Sequence, residues 1–182
     1  SSEGQELMEW DSLPAGVVTI AEGYGGFEVT PHSYAEMKRH ALELLIEFSD
    51  RVVGHVGAQA VPDHLLGTSG TVTTIAGVHL GLPRYDRSKV DGCWMSHDEV
   101  SVVTDGLLKM SYDERAASPC IGRERADLVL AGCAIFDAIR ERWPAPHVRV
   151  ADRGLREGIL TTLMQEDGTY ANPPRTGGAR KR

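Results

Sequence analysis

The chain has 182 residues, 41% hydrophobic and 25% charged, with a net charge of -7 at neutral pH. That length suits one domain with a proper core, and the acidic balance argues against a general nucleic-acid binder, which needs a basic footprint. No run reaches membrane-span length, the acidic start (Glu3, Glu6, Glu9) lacks the order of a secretory signal, and Cys93, Cys120 and Cys133 match no zinc spacing, so a reducing, cytoplasmic setting is expected.

In chain order, Ser1 to Gly4 suggests a hairpin turn, residues 5–10 alternate loosely, and residues 15–21 (Ala-Gly-Val-Val-Thr-Ile-Ala) are β-branched and apolar. This opening predicts two adjacent strands joined through residues 11–14. Thr30-Pro31 then has the form of a helix start, cap followed by proline. Tyr34, Met37, Ala41, Leu44, Leu45, Phe48 and Val52 continue at three- and four-residue spacing. They predict one long amphipathic helix ended by Gly54 or Gly57.

Residues 64–66 predict a short strand, and Gly67-Thr68-Ser69-Gly70-Thr71-Val72-Thr73-Thr74-Ile75-Ala76 a glycine turn entering a helix. Two glycines three apart permit positive φ and close approach to backbone, and the first amides of a helix are unpaired and favour an anion. The same residues also fit a plain strand-to-helix turn in which Ser69 or Thr68 caps the helix. Neither the Walker A nor the dinucleotide pattern is matched.

Gly81-Leu82-Pro83 stops that helix, and residues 85–92 form a charged surface excursion. Ser96-His97-Asp98-Glu99 and Ser111-Tyr112-Asp113-Glu114 are capping-box patterns opening two more helices. The charged stretch 123–127 runs into the apolar stretch 128–135, which predicts a helix entering the core partway along its length, and Arg125 with Asp127 suggests an ion pair at its start. Residues 147–151 read as a strand. A second strand-to-helix turn follows, Asp152-Arg153-Gly154-Leu155-Arg156-Glu157-Gly158, then a last helix through Met164. Residues 169–182 make a disordered basic tail ending in Arg180-Lys181-Arg182. The order of elements implies an α/β domain with a mixed sheet flanked by helices, its ligand outside the carboxyl ends of the strands.

Asp152 and Arg156 admit two kinds of reading: an acid and a guanidinium offered to metal and phosphate, or residues that pair with each other or cap the last helix. His64, His79 and His97 show no metal-ligand spacing.

Ser12-Leu13-Pro14-Ala15-Gly16, the turn at 67–76, Glu114-Arg115, Arg125-Ala126-Asp127 with Ala131-Gly132, and the 152–158 turn stand in the order and rough spacing of the Ppx/GppA family. The chain resembles that family, exopolyphosphatases and guanosine pentaphosphate phosphohydrolases, from about residue 13 to residue 160. The resemblance implies a ribonuclease-H-like domain of the actin-like ATPase and sugar kinase superfamily. Residues 1–168 would be the second of two such domains, without its first strand and its Asp-x-Gly-Gly-Gly-Ser phosphate loop.

It further implies hydrolysis of a terminal phosphoanhydride with Mg²⁺ in the whole enzyme, on polyphosphate or guanosine pentaphosphate. Gly67, Thr68, Ser69, Gly70 and Thr71 would be substrate-side residues, with Asp152 and Arg156 as further phosphate contacts and no catalytic residue in this chain. The partners expected are the substrate, the missing first domain and a second copy in a homodimer. Two other functions are consistent with the residues: a module that binds guanosine polyphosphates without hydrolysing them, and a sugar kinase, for which no sugar-binding acid stands out.

Overall fold

The computed structural model describes residues 8–25, 28–57 and 61–169, without the side chain of Leu155. The turn expected at residues 1–4, the first half of the expected opening strand and the basic tail from 170 onward lie outside these residues. The chain divides after Asp152 into two units. The first holds every strand among the described residues.

Its helices are α1 (Val17–Gly23), α2 (Pro31–Leu44), α3 (Ile46–Val56), α4 (Gly70–His79), α5 (Arg87–Val90), α6 (His97–Lys109), α7 (Tyr112–Ala117) and α8 (Val129–Arg142). The strands are β1 (Leu65–Gly67), β2 (Trp94–Ser96) and β3 (His147–Val150), in the order β1-β3-β2. β1 runs parallel to β3, with Gly67 opposite Val150, and β2 runs antiparallel to it. The second unit is described by α9 (Leu155–Glu166), on which Ile159, Leu160, Leu163 and Met164 are exposed.

α8 is the core helix. Nine of its fourteen residues are buried, from Val129 to Arg140, as the all-round apolar run predicts. Val148, Val150 and Met95 bring the sheet onto the same core as Ile75 of α4, Val100 and Leu107 of α6, and Leu130. Each such side chain, fully buried, contributes about 1.5–3 kcal/mol before entropy is counted. A polar network crosses this packing: Tyr34 donates to Asp137 at 2.6 Å, and Arg140, 3% exposed, donates to the other Asp137 oxygen at 2.7 Å and to Ser101 Oγ at 2.8 Å.

Three expectations are corrected. Residues 15–21 are no strand: Gly16 caps α1, with its N–H on Thr19 Oγ1 at 3.0 Å, and Ile20 and Ala21 pack against Ala131 and Ala134. Residues 8–10, the described part of the other expected strand, have no regular structure. β propensity is weak, and here burial against α8 overrides it. The long helix is two, α2 and α3, joined at Leu45, and Gly57 at φ 87° ends the second. Residues 123–127 are turns instead of helix, because Arg115 Nε takes the carbonyl of Ala126 at 2.9 Å and Gly122 adopts φ 74°.

The two capping boxes form as their sequences require, Glu99 accepting from Ser96 N–H and Glu114 from Ser111 N–H, both at 2.7 Å. Hydrogen bonding to those amides holds both carboxyls below the usual glutamate range. Among the described residues no helix is long and apolar enough to cross a membrane.

Candidate functional site

β1 and β3, being parallel, end at one edge of the sheet. Ala151 N–H donates to Gly67 carbonyl at 2.9 Å, so the chain leaves the two strands side by side, through Thr68 and Ser69 on one and Asp152 on the other. This is the edge at which α/β sheets receive ligands.

Each residue of the glycine turn has its own place. Neither Gly67 nor Gly70 takes a positive φ. Gly67 is glycine for space, since a Cβ there would meet Val72 Cγ1 at 2.6 Å. Ser69 caps α4, accepting from Val72 N–H at 3.3 Å. Thr71 turns inward against α8, where a Cβ on Gly132 would lie 2.1 Å from its Oγ1. Thr68 and Gly70 face outward, and the amides of Gly70 and Thr71 open the helix without intrahelical partners.

Thr68 and Gly70 line a cleft of about 400 Å³ with Thr73, Tyr85, Arg125 and Asp152, closed on one side by Cys120 and Ile121. Arg125 stands over the start of α4: its Nη1 is 3.5 Å from the position a Gly70 Cβ would take, and 3.5 Å from Thr74 Oγ1. Among the described residues it has no acidic partner, so the expected ion pair with Asp127 gives way to a guanidinium facing the cleft. It also borders a second, more apolar hollow of about 320 Å³, shared by Val17, Ser69, Thr71 and Leu128.

Asp152 is held from the excursion at 85–91. Tyr85 Oη donates to its Oδ2 at 2.8 Å, Arg87 Nε approaches the same oxygen at 3.4 Å, and Arg87 Nη2 donates to its carbonyl. Asp91 Oδ1 accepts its N–H at 3.0 Å. Burial, and then the bond to Asp152, push the Tyr85 hydroxyl above the ordinary tyrosine range, so it stays a donor. Burial likewise raises the Cys120 thiol.

The cleft thus joins Thr68, Gly70, Arg125 and Asp152. Arg156 lies in the first turn of α9, in the second unit, where Gly154 is the N-cap and its N–H donates to Glu157 at 2.8 Å. Glu114 and Arg115 are structural: the first closes a capping box, and the second, 3% exposed, ties α7 to the carbonyls of Met110 and Ala126. Tyr85 and Arg87 escaped the sequence reading. Their only signal was an aromatic residue inside a charged surface segment.

Chemically, the cleft suits an anion at the start of α4, with two helix amides, the helix dipole and a guanidinium able to fork onto phosphate oxygens. The same cleft carries a carboxylate, Asp152. Mg²⁺ takes one or two carboxylates together with waters and substrate phosphates. Among the described residues no three His, Cys, Asp or Glu side chains group as metal ligands, and Oδ2 of Asp152 already accepts from Tyr85 and is ion-paired with Arg87. Among the described residues this single carboxylate is too little to make a Mg²⁺ site on its own.

A sequence model described as the Ppx/GppA phosphatase family matches residues 1–167. No curated protein matches. Among solved structures, the Aquifex aeolicus member of the Ppx/GppA family is similar over 85% of this chain and 48% of its own, at 25% identity and TM-score 0.68. The Aquifex aeolicus PPX-GPPA enzyme is similar over 85% and 49%, at 29% identity and TM-score 0.65. An exopolyphosphatase from Cytophaga hutchinsonii shares the fold over 83% and 48%, at 18% identity and TM-score 0.70. The chain spans about half the length of these structures, and its α/β fold with a small mixed sheet is of the actin-like ATPase kind.

Proposed function

Because the chain belongs to the Ppx/GppA phosphatase family, we propose that it supplies one wall of the cleft of a phosphoanhydride hydrolase acting on polyphosphate or guanosine pentaphosphate. In this reading it is the second ribonuclease-H-like domain of the enzyme, and it does not turn over substrate alone. Gly70 and Thr71 amides, Thr68 and Arg125 bind phosphate, and the residue that activates water, with the ligands of Mg²⁺, stands on the facing wall. The observation that carries the reading is the Arg125 guanidinium over the amino end of α4, without an acidic partner among the described residues.

Phosphoryl transfer depends chiefly on positioning and electrostatic stabilisation. The part of this wall is to hold phosphates beyond the reacting one by backbone N–H groups and a bidentate arginine, fixing the register of the chain being cut. Asp152 lies in the cleft as an acceptor held in place by Tyr85.

The test is to mix the purified chain with polyphosphate and with guanosine pentaphosphate, measuring phosphate release and binding separately. Binding of either ligand that weakens at least tenfold in Arg125→Ala, with no release above buffer, supports the proposal. Release that is abolished by Thr68→Ala with Ser69→Ala would place the chemistry in this chain and contradict it.

A further inference from the structure

The carboxylate of Asp152 is an odd companion for a polyanion. It shares the 400 Å³ cleft with Gly70 and Arg125, and strand pairing fixes its place beside Thr68. Tyr85 and Arg87 both approach Oδ2. Among the described residues Oδ1 has no hydrogen-bond or ion-pair partner, and the side chain keeps 29% of its surface exposed. The cleft therefore offers donors and an acceptor together, with the Tyr85 ring and Ile121 among its lining.

Resting on the reading above that this cleft binds phosphates, we propose that Asp152 is a specificity-determining residue that favours a nucleoside polyphosphate over linear polyphosphate. A linear polyphosphate at neutral pH is an acceptor along its whole length. Beside Asp152 it meets a like charge and leaves Oδ1 without a donor, which is discrimination by repulsion. A nucleoside polyphosphate places its phosphates at Gly70 and Arg125 and turns its base or ribose, which carry N–H and O–H donors and an apolar face, toward Oδ1 and the Tyr85 ring. Tyr85 and Arg87 act through Asp152 as positioning residues. Tyr85 bonds to Oδ2 and Arg87 pairs with it, which leaves Oδ1 for the ligand.

The experiment is calorimetric titration of the full 182-residue chain, at fixed salt, with guanosine 3′,5′-bisdiphosphate and with inorganic tripolyphosphate. The wild-type chain is expected to bind the nucleotide at least tenfold more tightly. Asp152→Asn, which keeps the shape and removes the charge, narrows that ratio to threefold or less, mainly by tightening tripolyphosphate. Tyr85→Phe leaves the carboxylate and so keeps tripolyphosphate weak. Equal affinities in the wild type, or an unchanged ratio in folded Asp152→Asn, overturn the inference and leave the phosphate-binding cleft standing. Binding of neither ligand overturns the underlying reading, and the inference with it. Should Asp152→Asn fail to fold, the wild-type ratio and Tyr85→Phe still decide.

Discussion

Thr71 is seated on Gly132: a Cβ added at Gly132 would lie 2.1 Å from Thr71 Oγ1 and 3.0 Å from its Cβ. The start of the cleft helix and the core helix α8 therefore meet with no side chain between them on the α8 side. Gly132→Ala forces that contact apart. It should destabilise the chain by about 1–3 kcal/mol, the usual cost of overpacking, seen as a lower urea midpoint. The smaller Thr71→Ser in the same background should recover part of the loss.

Ser69 and Arg125 separate capping from ligand contact. Ser69 Oγ accepts from Val72 N–H, so Ser69→Ala should cost about 1 kcal/mol of stability as a lost N-cap while changing anion affinity less than threefold. Arg125→Ala should do the reverse. Thermal melts with parallel titrations give both numbers.

An alkaline limb should be visible in stability. Burial first, and then the charge of Asp137, push Tyr34 above its ordinary value of 10.0, and burial pushes the fully enclosed Cys133 thiol above 9.0. Both groups are held protonated by the fold. Their contribution is whole below the unfolded values and is lost as pH rises above them, through the folded ones. Unfolding free energy should fall from about pH 9 upward. Tyr34→Phe should lose about 1 kcal/mol at pH 7 with the hydrogen bond to Asp137, and its alkaline limb should be shallower. A wild-type chain whose stability is flat from pH 8 to 11 would contradict this.

Elements whose causes are local were legible in the sequence. Ser96 with Glu99, Ser111 with Glu114 and Thr30 with Pro31 fix three helix starts within four residues each, and the structure has all three. The glycine turn and the strands at its edge were legible too, although for Gly67 the cause is the space Val72 needs, with no positive φ. What was not legible depends on distant partners. α1 is decided by Ala131 and Ala134, over a hundred residues on, against its own β-branched composition. β2 is three residues at a sheet edge, too short to show alternation. The hold on Asp152 comes from Tyr85, 67 residues away, and the burial of Arg115 from carbonyls its own segment does not reveal.

The central claim is that Arg125 and the amino end of α4 form a phosphate-binding wall. Its most direct test is titration of the chain with guanosine 3′,5′-bisdiphosphate, wild type against Arg125→Ala, with melting curves taken on the same samples. The account predicts saturable binding by the wild type, at least tenfold weaker in the variant, and melting temperatures within about 2 °C of each other, as a surface change of ±0.5 kcal/mol gives. Equal affinity in two equally folded proteins would contradict it.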